Sequence, residues 1–152
     1  QISVIAADAV WGRLVELVGE ITPEAIREFT VEELASCGLS RPKSNYIHGL
    51  ALKSDALLLQ NWNDYSDDEL LAHFTKFRGI GPWTAEMILI FTLMRPDIFS
   101  IGDISLIRAV QQLVPEADSK DKVLELSKRW IPYRTAACWY LWRMLDPVPV
   151  EY

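Results

Sequence analysis

The sequence of 152 residues predicts an all-α fold built from many short helices. Apolar side chains recur at helical spacing along most of the chain, whereas strand patterns do not. Residues that cap helix N-termini and glycines that end helices interrupt this pattern at short intervals. Half of the residues are hydrophobic and 24% are charged, which is ordinary globular composition and excludes disordered, collagen-like and coiled-coil chains.

The first predicted helix is amphipathic, runs from Ile5 to Val18 and ends at Gly19. Thr22 then supplies an N-cap for a second helix, with Pro23 at its first position. We expect the apolar positions of the first helix to face the core: Ile5, Ala9, Trp11, Leu14 and Val18.

Two capping boxes, Thr30–Glu33 and Ser66–Glu69, predict two further helix starts. The helix after the first box stops at Gly38, and the helix after the second reaches Gly79. Between them one helix is predicted from about Pro42 to Leu58. We expect that helix to turn four apolar side chains inward: Tyr46, Ile47, Leu50 and Leu57.

The second half begins with an apolar helix predicted from Pro82 to about Met94. Its apolar run from Met87 is broken only by Thr92 and is far too short to span a bilayer, so it predicts a core helix. Three more helices are predicted, over Asp103–Leu113, Lys120–Trp130 and Tyr133–Leu145.

The net charge of −6 is unevenly distributed. Residues 1–69 hold 5 basic and 12 acidic side chains, whereas residues 70–152 hold 10 and 9. A nucleic-acid face is therefore expected mainly in the second half. Five glutamates that recur every fourth residue predict a solvated surface: Glu16, Glu20, Glu24, Glu28 and Glu32.

Cysteine and histidine are too few for several classes of site. Cys37 and Cys138 cannot form a disulfide framework or a four-thiolate metal site, and we expect packed thiols. His48 and His73 are the only histidines, which argues against a metal-centred mechanism. The sequence does not open with a basic segment followed by an apolar one, so nothing in it indicates secretion. The chain starts at Gln1 without an initiator Met, and we expect a natural N-terminal segment to precede it.

The most informative stretch is residues 71–85, where a helix ends, a Gly-Ile-Gly hairpin follows and a new helix starts at Pro82. Gly79 and Gly81 permit positive φ, which would let consecutive backbone N–H groups point outward together. With the positive end of the helix macrodipole, these donors predict a site for an anion such as a phosphate.

Backbone amides reconcile a nucleic-acid partner with an acidic chain, because they need no excess of Lys or Arg. Lys76 and Arg78 lie just before the turn and are expected to contact neighbouring phosphates. For Gly-x-Gly alone, a plain helix–turn–helix corner that needs glycine for steric reasons is the alternative. The pattern is more specific as a whole, with apolar residues at 71, 74, 77 and 80 before Pro-Trp-Thr-Ala.

With these motifs the chain resembles the helix-hairpin-helix (HhH-GPD) DNA glycosylases, within them the 3-methyladenine DNA glycosylase II type. Five segments carry the resemblance in the family's order: Gln1–Ala7, Cys37–His48, Gly79–Ala85, Asp97–Asp103 and Pro132–Trp142. The resemblance implies a single domain over residues 1–152, with two helical lobes flanking a substrate cleft. It also implies a monofunctional enzyme of base excision repair that flips alkylated bases out of duplex DNA and excises them hydrolytically.

By resemblance, Asp103 falls on the catalytic aspartate of the family. A helix over residues 82–94 runs about 18 Å, and residues 95–102 span up to roughly 26 Å. The chain can therefore bring Asp103 back toward the hairpin, where it would begin a new helix. An ionised carboxylate there would stabilise an oxocarbenium-like sugar and orient the attacking water. The alternative is that Asp103 is only an N-cap. Three rival carboxylates lack the matching context: Glu86, Asp97 and Asp146.

The resemblance also implies contacts with the substrate. Trp83 and Trp142 match positions that line the pocket for the extruded base, to which we add Tyr140 and Met87. An electron-rich aromatic pocket would stabilise a cationic alkylated purine by stacking and cation–π attraction. Gln1 resembles the wedge that fills the gap in the duplex. The residues expected to bind DNA are Gly79, Ile80, Gly81, Thr84, Lys76, Arg78, Gln1 and Ser3. Core or interface filling is expected instead for Trp11, Trp62 and Trp130.

Trp83 stands where lyase-competent relatives carry a Lys nucleophile, which implies hydrolysis by water without a Schiff base. The resemblance implies no cofactor, while leaving open a monovalent cation at the hairpin. It implies a monomer that acts on damaged duplex DNA away from membranes, in the cytoplasm of a bacterium or the nucleus of a eukaryote. Two other classes stay open: a non-catalytic helix-hairpin-helix DNA-binding module, and an α-helical interaction domain with an aromatic groove.

Overall fold

The computed structural model of the chain describes residues 4–145, and every regular element in that range is helical. This confirms the predicted all-α class. The α-helices are α1 (Val4–Val18), α2 (Pro23–Arg27), α3 (Val31–Ser36), α4 (Arg41–Ala51), α5 (Ser54–Leu57), α6 (Asp67–Phe74), α7 (Pro82–Met87), α8 (Ile104–Leu113), α9 (Lys120–Ser127) and α10 (Arg134–Leu145). A π-helical segment, Ile88–Thr92, continues α7, and two 3₁₀ turns span Trp62–Asp64 and Lys128–Trp130.

The chain divides into two compact units. Unit 1 comprises residues 1–61 and 76–79, and therefore holds α1 to α5. Unit 2 comprises residues 62–75 and 80–152, and holds α6 to α10.

The core of unit 1 forms where α2 and α3 pack against α4. Its buried apolar residues are Leu14, Ile26, Leu34, Cys37 and Ala51. Thr22 caps α2 by accepting the Ala25 N–H, and Thr30 and Glu33 form the predicted capping box of α3. The five glutamates of the predicted solvated row are all exposed.

The prediction for the apolar face of α1 is largely wrong. Leu14 is buried and Val18 is half-buried, but Ile5 is 82% exposed and Trp11 is 55% exposed. Helical spacing identifies a face but not the length of helix that a neighbouring element covers. Trp11 is therefore not a core residue.

The predicted single helix over residues 42–58 is two helices, because a long-range contact interrupts it. Arg27 Nε donates to the carbonyl of Ala51 at 2.8 Å, and the same guanidinium donates to the Ser54 hydroxyl. The Ala51 carbonyl ends α4 by accepting from this side chain, and α5 then starts at Ser54. The side chains expected to face inward are half-buried: Tyr46, Ile47, Leu50 and Leu57.

The core of unit 2 lies where α8 packs against α10 and α9. It contains Phe99, Leu106, Ile107, Ala109, Val110, Ala117, Val123, Cys138 and Leu141. Trp130 packs on this core against Phe99, and Trp62 stacks on Phe74, so both fill space as predicted. Cys37 and Cys138 are buried and unpaired, which confirms packed thiols.

Three helices of unit 2 end earlier than predicted. The helix expected over Lys120–Trp130 is α-helical only to Ser127 and finishes as a 3₁₀ turn. The helix expected to reach Gly79 ends at Phe74, where the Thr75 hydroxyl donates back to the Leu71 carbonyl at 2.7 Å. The helix expected to reach Met94 keeps α-helical geometry only to Met87. Beyond it the Leu93 N–H donates to the Ile88 carbonyl at 3.0 Å, five residues back, which is the π-helical pattern.

The π-helical segment leads into a chain reversal at Met94, whose φ of 53° is in the left-handed region. The next residue, Arg95, anchors the reversal by donating to the carbonyls of Trp62 at 2.6 Å and Tyr65 at 3.0 Å. Its guanidinium also pairs with Asp67 at 3.4 Å. Within the described residues no helix has the length and apolar character that crossing a membrane requires.

Candidate active site and nucleic-acid interface

The hairpin between α6 and α7 uses its two glycines differently. Gly79 has φ +103°, a conformation that L side chains rarely adopt, and a Cβ there would lie 2.5 Å from Tyr46 Cβ. Gly79 is therefore required by its backbone and by its neighbour. Gly81 has φ −88° and ψ 175°, so the prediction of positive φ at both glycines is wrong for Gly81.

Gly81 is the N-cap of α7 and leaves open space where a side chain would be. No heavy atom lies within 4 Å of a Cβ built at this position. Because glycine has no side chain to accept from the first-turn N–H groups, α7 has no side-chain cap. Pro82 occupies the first position of the helix, as predicted. The arrangement leaves room for another molecule to approach the backbone closely.

The other predicted DNA-binding residues of the hairpin differ in exposure. Lys76 and Arg78 are exposed, and the Arg78 guanidinium lies 5.8 Å from the centre of the Tyr46 ring. Ile80 is buried, so its side chain anchors the turn and only its backbone is available for a ligand. Thr84 is half-buried in the first turn of α7.

Asp103 is the N-cap of α8 and is 6% exposed. Its Oδ1 accepts the backbone N–H groups of Ser105 at 2.8 Å and Leu106 at 3.3 Å. These donors and the positive end of the helix macrodipole stabilise a negative charge on the carboxylate. The predicted helix start at Asp103 is confirmed.

The second carboxylate oxygen of Asp103 is held by α7. Trp83 Nε1 donates to Asp103 Oδ2 at 3.1 Å, and the Trp83 ring is 43% exposed. Residues 95–102 thus bring Asp103 back to the start of α7, as the chain-length argument predicts. The pairing itself was missed, because the sequence suggested only a stacking role for Trp83.

The segment between Arg95 and Asp103 is fastened at several points. Asp97 accepts from the guanidinium of Arg134 at 2.8 and 3.0 Å and from its backbone N–H at 3.2 Å. These bonds and the positive charge of Arg134 hold the pKa of Asp97 below its ordinary value. Thr135 Oγ1 accepts the Ile98 N–H at 3.0 Å and donates to the Arg95 carbonyl at 2.6 Å. The loop that carries Asp103 is therefore firmly attached to α10.

A further attachment of this segment is made to α7, between Ser100 and Glu86. Ser100 is fully buried, and its hydroxyl donates to Glu86 Oε2. Burial raises the pKa of Glu86 despite the hydrogen bond from Ser100, and the charge of Asp103 raises it further. Burial also raises the pKa of the Cys138 thiol to about 12. Of the rival carboxylates, Glu86 is hydrogen-bonded to the segment that carries Asp103, whereas both oxygens of Asp97 accept from Arg134.

The predicted pocket residues on α10 are arranged differently from Trp83. Trp142 stacks on Phe91 of the π-helical segment, with ring centres 5.6 Å apart and an angle of 22° between the planes. Trp139 meets Phe91 edge to face at 5.2 Å. Tyr140 is 79% exposed. Within residues 4–145, no hydrogen bond or ring contact joins Trp142 or Tyr140 to Asp103 or Trp83.

Met87 is the remaining predicted pocket residue, and Gln1 and Ser3 are the remaining predicted DNA-binding residues. Met87 is half-buried at the end of α7, one turn after Trp83. Gln1 and Ser3 lie outside the described residues. Within the part of the chain that the structure describes, no three or more His, Cys, Asp or Glu side chains are grouped to hold a metal ion.

Comparison with known proteins identifies the family of the chain. The family model described as HhH-GPD superfamily base excision DNA repair protein matches residues 1–133. DNA-3-methyladenine glycosylase 1 of Schizosaccharomyces pombe is 35% identical over 146 residues, covering 91% of this chain and 64% of that protein. A DNA-3-methyladenine glycosylase of Bacillus subtilis is 35% identical over 131 residues, covering 80% of this chain and 42% of that protein.

The fold also matches a solved structure. The solved structure of the 3-methyladenine DNA glycosylase of Schizosaccharomyces pombe in complex with abasic DNA superposes with a TM-score of 0.84 at 32% identity. The match covers 99% of this chain and 78% of that one. The chain spans less than two thirds of the length of the two curated relatives above. A family match over residues 1–133, with helix-hairpin-helix and N-cap aspartate both in place, establishes that this chain belongs to the HhH-GPD superfamily of base excision DNA repair proteins.

Proposed function

We propose that this chain is a monofunctional DNA glycosylase that hydrolyses the N-glycosidic bond of alkylated bases, of the 3-methyladenine type, in duplex DNA. One observation carries the proposal. Asp103 is a buried carboxylate at a helix N-terminus, and one of its oxygens is held by the tryptophan that follows the hairpin. The 3-methyladenine glycosylases among the relatives support the same reaction class.

In the proposed reaction the bond between C1′ of the sugar and the base breaks, and its electron pair leaves with the base. An alkylated purine is commonly cationic and leaves readily, so the chain need not supply a strong general acid. The Asp103 carboxylate stabilises the oxocarbenium-like sugar through its negative charge. It also orients a water whose oxygen forms the new bond to C1′, and accepts a proton from that water. We propose that this chemistry needs no cofactor.

For recognition of the base, we propose that the Trp83 ring stacks on it after extrusion from the duplex. Its exposure leaves part of the ring free for a ligand while Nε1 holds Asp103. Trp142, Tyr140 and Met87 are proposed to complete an electron-rich pocket that attracts the cationic base. Phe91, which stacks on Trp142, fixes the plane of that ring and therefore joins the proposed set.

For DNA binding, we propose that the backbone at Gly79, Ile80 and Gly81 receives a phosphate. The space beside Gly81 and the uncapped first turn of α7 support this role. The side chains proposed to contact the backbone are Thr84, Lys76 and Arg78, with Gln1 as the wedge and Ser3 beside it. The enzyme is proposed to act as a monomer where the genome lies, in bacterial cytoplasm or a eukaryotic nucleus.

The test is single-turnover release of bases from methylated duplex DNA by wild type and Asp103→Asn. Asn caps helices as well as Asp does, so the variant keeps the start of α8 while losing both the charge and the Oδ2 acceptor of Trp83 Nε1. We expect release by wild type that leaves an intact abasic strand, no release by Asp103→Asn, and similar DNA affinity for both. An exposed carboxylate, Glu116→Gln, is the matched control and should behave as wild type.

Other outcomes would assign the chain differently. Salt-dependent DNA binding without release by any variant would indicate a non-catalytic DNA-binding module. Equal release by wild type and Asp103→Asn would remove Asp103 from the chemistry. Strand cleavage at the abasic site would contradict hydrolysis by water and indicate a lyase step.

A further inference from the structure

We propose that Glu86 is a positioning residue for the Asp103 carboxylate, acting through the Ser100 hydroxyl. This role rests on the proposed function for its catalytic consequence, but the positioning itself can be measured without any reaction. Glu86 touches neither the base nor the sugar in this proposal. It fixes the short segment of chain that presents Asp103.

Helix α7 holds this segment at two points on one helix face. Trp83 and Glu86 are three residues apart, so their side chains project from the same face of α7. Trp83 Nε1 reaches the Asp103 carboxylate, and Glu86 Oε2 accepts from the Ser100 hydroxyl. One contact is made to the reacting side chain and the other to the backbone segment that supports it.

Ser100 is directly coupled to the backbone of Asp103. The Asp103 N–H donates to the Ser100 carbonyl at 3.0 Å, which closes the tight turn over residues 100–103. Ser100 is fully buried, and Glu86 is the acceptor of its hydroxyl, so removal of Glu86 would take away that acceptor inside the fold. Movement of Ser100 would therefore move the start of α8 and the orientation of the Asp103 carboxylate with it.

Glu86 differs from the other residues that hold this loop in the helix to which it belongs. Asp97 with Arg134, and Thr135 with Arg95 and Ile98, all attach the loop to the start of α10. The bond between Ser100 and Glu86 is made instead to α7, the helix that also carries Trp83. It therefore ties the segment before Asp103 to the helix that carries Trp83, which the attachments to α10 do not.

A glutamate at position 86 is unfavourable if its only role is to fill space, so its presence needs another reason. A half-buried carboxylate near Asp103 places two like charges together, and burial raises the pKa of Glu86. An apolar residue at this position would avoid that desolvation but would leave the buried Ser100 hydroxyl unpaired. The hydrogen bond, more than the charge, is what we expect position 86 to supply.

The experiment uses four variants that separate the bond from the charge: Glu86→Ala, Glu86→Gln, Ser100→Ala and the double variant Glu86→Ala/Ser100→Ala. Gln has an amide oxygen that can accept from Ser100 without carrying charge. Ser127→Ala is the matched control, because Ser127 is also a fully buried serine of unit 2, bonded to the Leu124 carbonyl at 2.7 Å. Thermal unfolding of each variant shows how much of any effect is stability.

Two readouts are taken. The first is the NMR resonance of the Trp83 indole N–H and its exchange with solvent, assigned by its loss in Trp83→Phe. The second is single-turnover base release as a function of substrate concentration. Glu86→Ala and Ser100→Ala should shift the indole resonance, speed its exchange and lower the maximal rate about tenfold, with half-saturation unchanged. Glu86→Gln should recover most of that loss, and the double variant should be no worse than either single one.

The inference is overturned if the Trp83 indole is the same in Ser100→Ala as in wild type. It is also overturned if Glu86→Gln is impaired as fully as Glu86→Ala, because the charge rather than the bond would then act. If wild type releases no base at all, the proposed function fails, and the indole resonance alone still decides whether Glu86 positions Asp103.

Discussion

At the scale of single residues, the two oxygens of Asp103 have different partners. Oδ1 accepts from the first turn of α8, and Oδ2 accepts from Trp83. The N-cap interpretation and the catalytic interpretation of Asp103 are therefore compatible, because the cap occupies one oxygen only. The oxygen that faces Trp83 is the one we expect to lie toward the substrate.

This division predicts a specific effect of removing the Trp83 indole N–H. Trp83→Phe keeps an aromatic ring for stacking but leaves Oδ2 without its donor. Without this bond the Asp103 carboxylate is no longer held in one orientation, so we expect the single-turnover rate to fall by roughly 10- to 100-fold. Half-saturation should change little, because the ring remains.

Single-turnover release from methylated DNA measures this effect, with Trp130→Phe as the control. Trp130 packs on the core of unit 2 and should change stability rather than the rate of the folded enzyme. A Trp83→Phe variant with the wild-type maximal rate and weaker substrate binding would show that the indole serves stacking alone.

At the scale of helices and turns, the predictable features are those carried by neighbouring residues. The capping boxes at Thr30 and Ser66 are predictable because the hydroxyl and the glutamate that form each box are three residues apart. The break after Ala51 is not predictable from neighbouring residues, because its cause is Arg27, 24 residues earlier in the chain. The π-helical pattern after Met87 has no Gly or Pro to mark it.

The candidate site divides in the same way. The sequence predicts the start of α8 at Asp103, and the length of the chain before it predicts the return of Asp103 toward the hairpin. Glu86 could have been found, since its spacing from Trp83 places both on one face of α7. Ser100 could not, because a serine in a loop gives no sign of being fully buried against a carboxylate.

The hairpin glycines provide a matched pair of substitutions. Gly79→Ala should lower the free energy of unfolding by about 1–3 kcal/mol, because it combines a left-handed backbone with a Cβ pressed against Tyr46. Gly81→Ala should lower it by less than about 1 kcal/mol, since the backbone is extended and the space is open, and only the poorer N-cap preference of Ala is lost. Chemical denaturation measures both.

We expect the loss of DNA affinity to follow a different pattern from the loss of stability. Gly81→Ala should weaken DNA binding although it destabilises the protein less than Gly79→Ala does. If a phosphate approaches the backbone at Gly81, the added methyl group in Gly81→Ala weakens binding to duplex DNA in a protein that is fully folded. Fluorescence anisotropy with a labelled duplex measures this. Wild-type affinity in Gly81→Ala would place the phosphate elsewhere.

The attachment to α10 of the loop that carries Asp103 predicts that stability depends on pH in the acid range. The pKa of Asp97 is held below its ordinary value by Arg134, so the pair stabilises the fold above the unfolded pKa of about 3.9. That contribution is lost as the pH falls through the lower folded pKa. Asp97→Asn should therefore be less stable than wild type at pH 7, and the difference should shrink as the pH falls below about 4.

Denaturant unfolding at pH 7 and at successive lower values measures the difference, for which about 1–3 kcal/mol is expected at neutral pH. Asp118→Asn is the control, because Asp118 pairs with Lys122 on an exposed surface where an ion pair stabilises little. A wild-type advantage that is constant with pH would mean that Asp97 does not titrate with the fold.

At the scale of the whole molecule, the net charge of −6 opposes long-range attraction to DNA. The near-neutral second half of the chain lessens this opposition where the hairpin lies. Recognition that relies on backbone amides at the hairpin would need few cationic side chains. Lys76 and Arg78 are the two exposed cations that immediately precede it.

This balance predicts a weak dependence of DNA binding on salt. If the two side chains neutralise two phosphates, the plot of log affinity against log salt concentration should have a slope of about −2, at roughly −0.9 per phosphate. Lys76→Gln should reduce the magnitude of that slope by about 1. Lys122→Gln should leave the slope unchanged, because Lys122 of α9 already pairs with Asp118. Anisotropy titrations between about 50 and 200 mM salt cover the range in which such slopes are resolved. A slope of about −5 or steeper would show that a broader cationic surface, not the hairpin amides with two flanking side chains, holds the DNA.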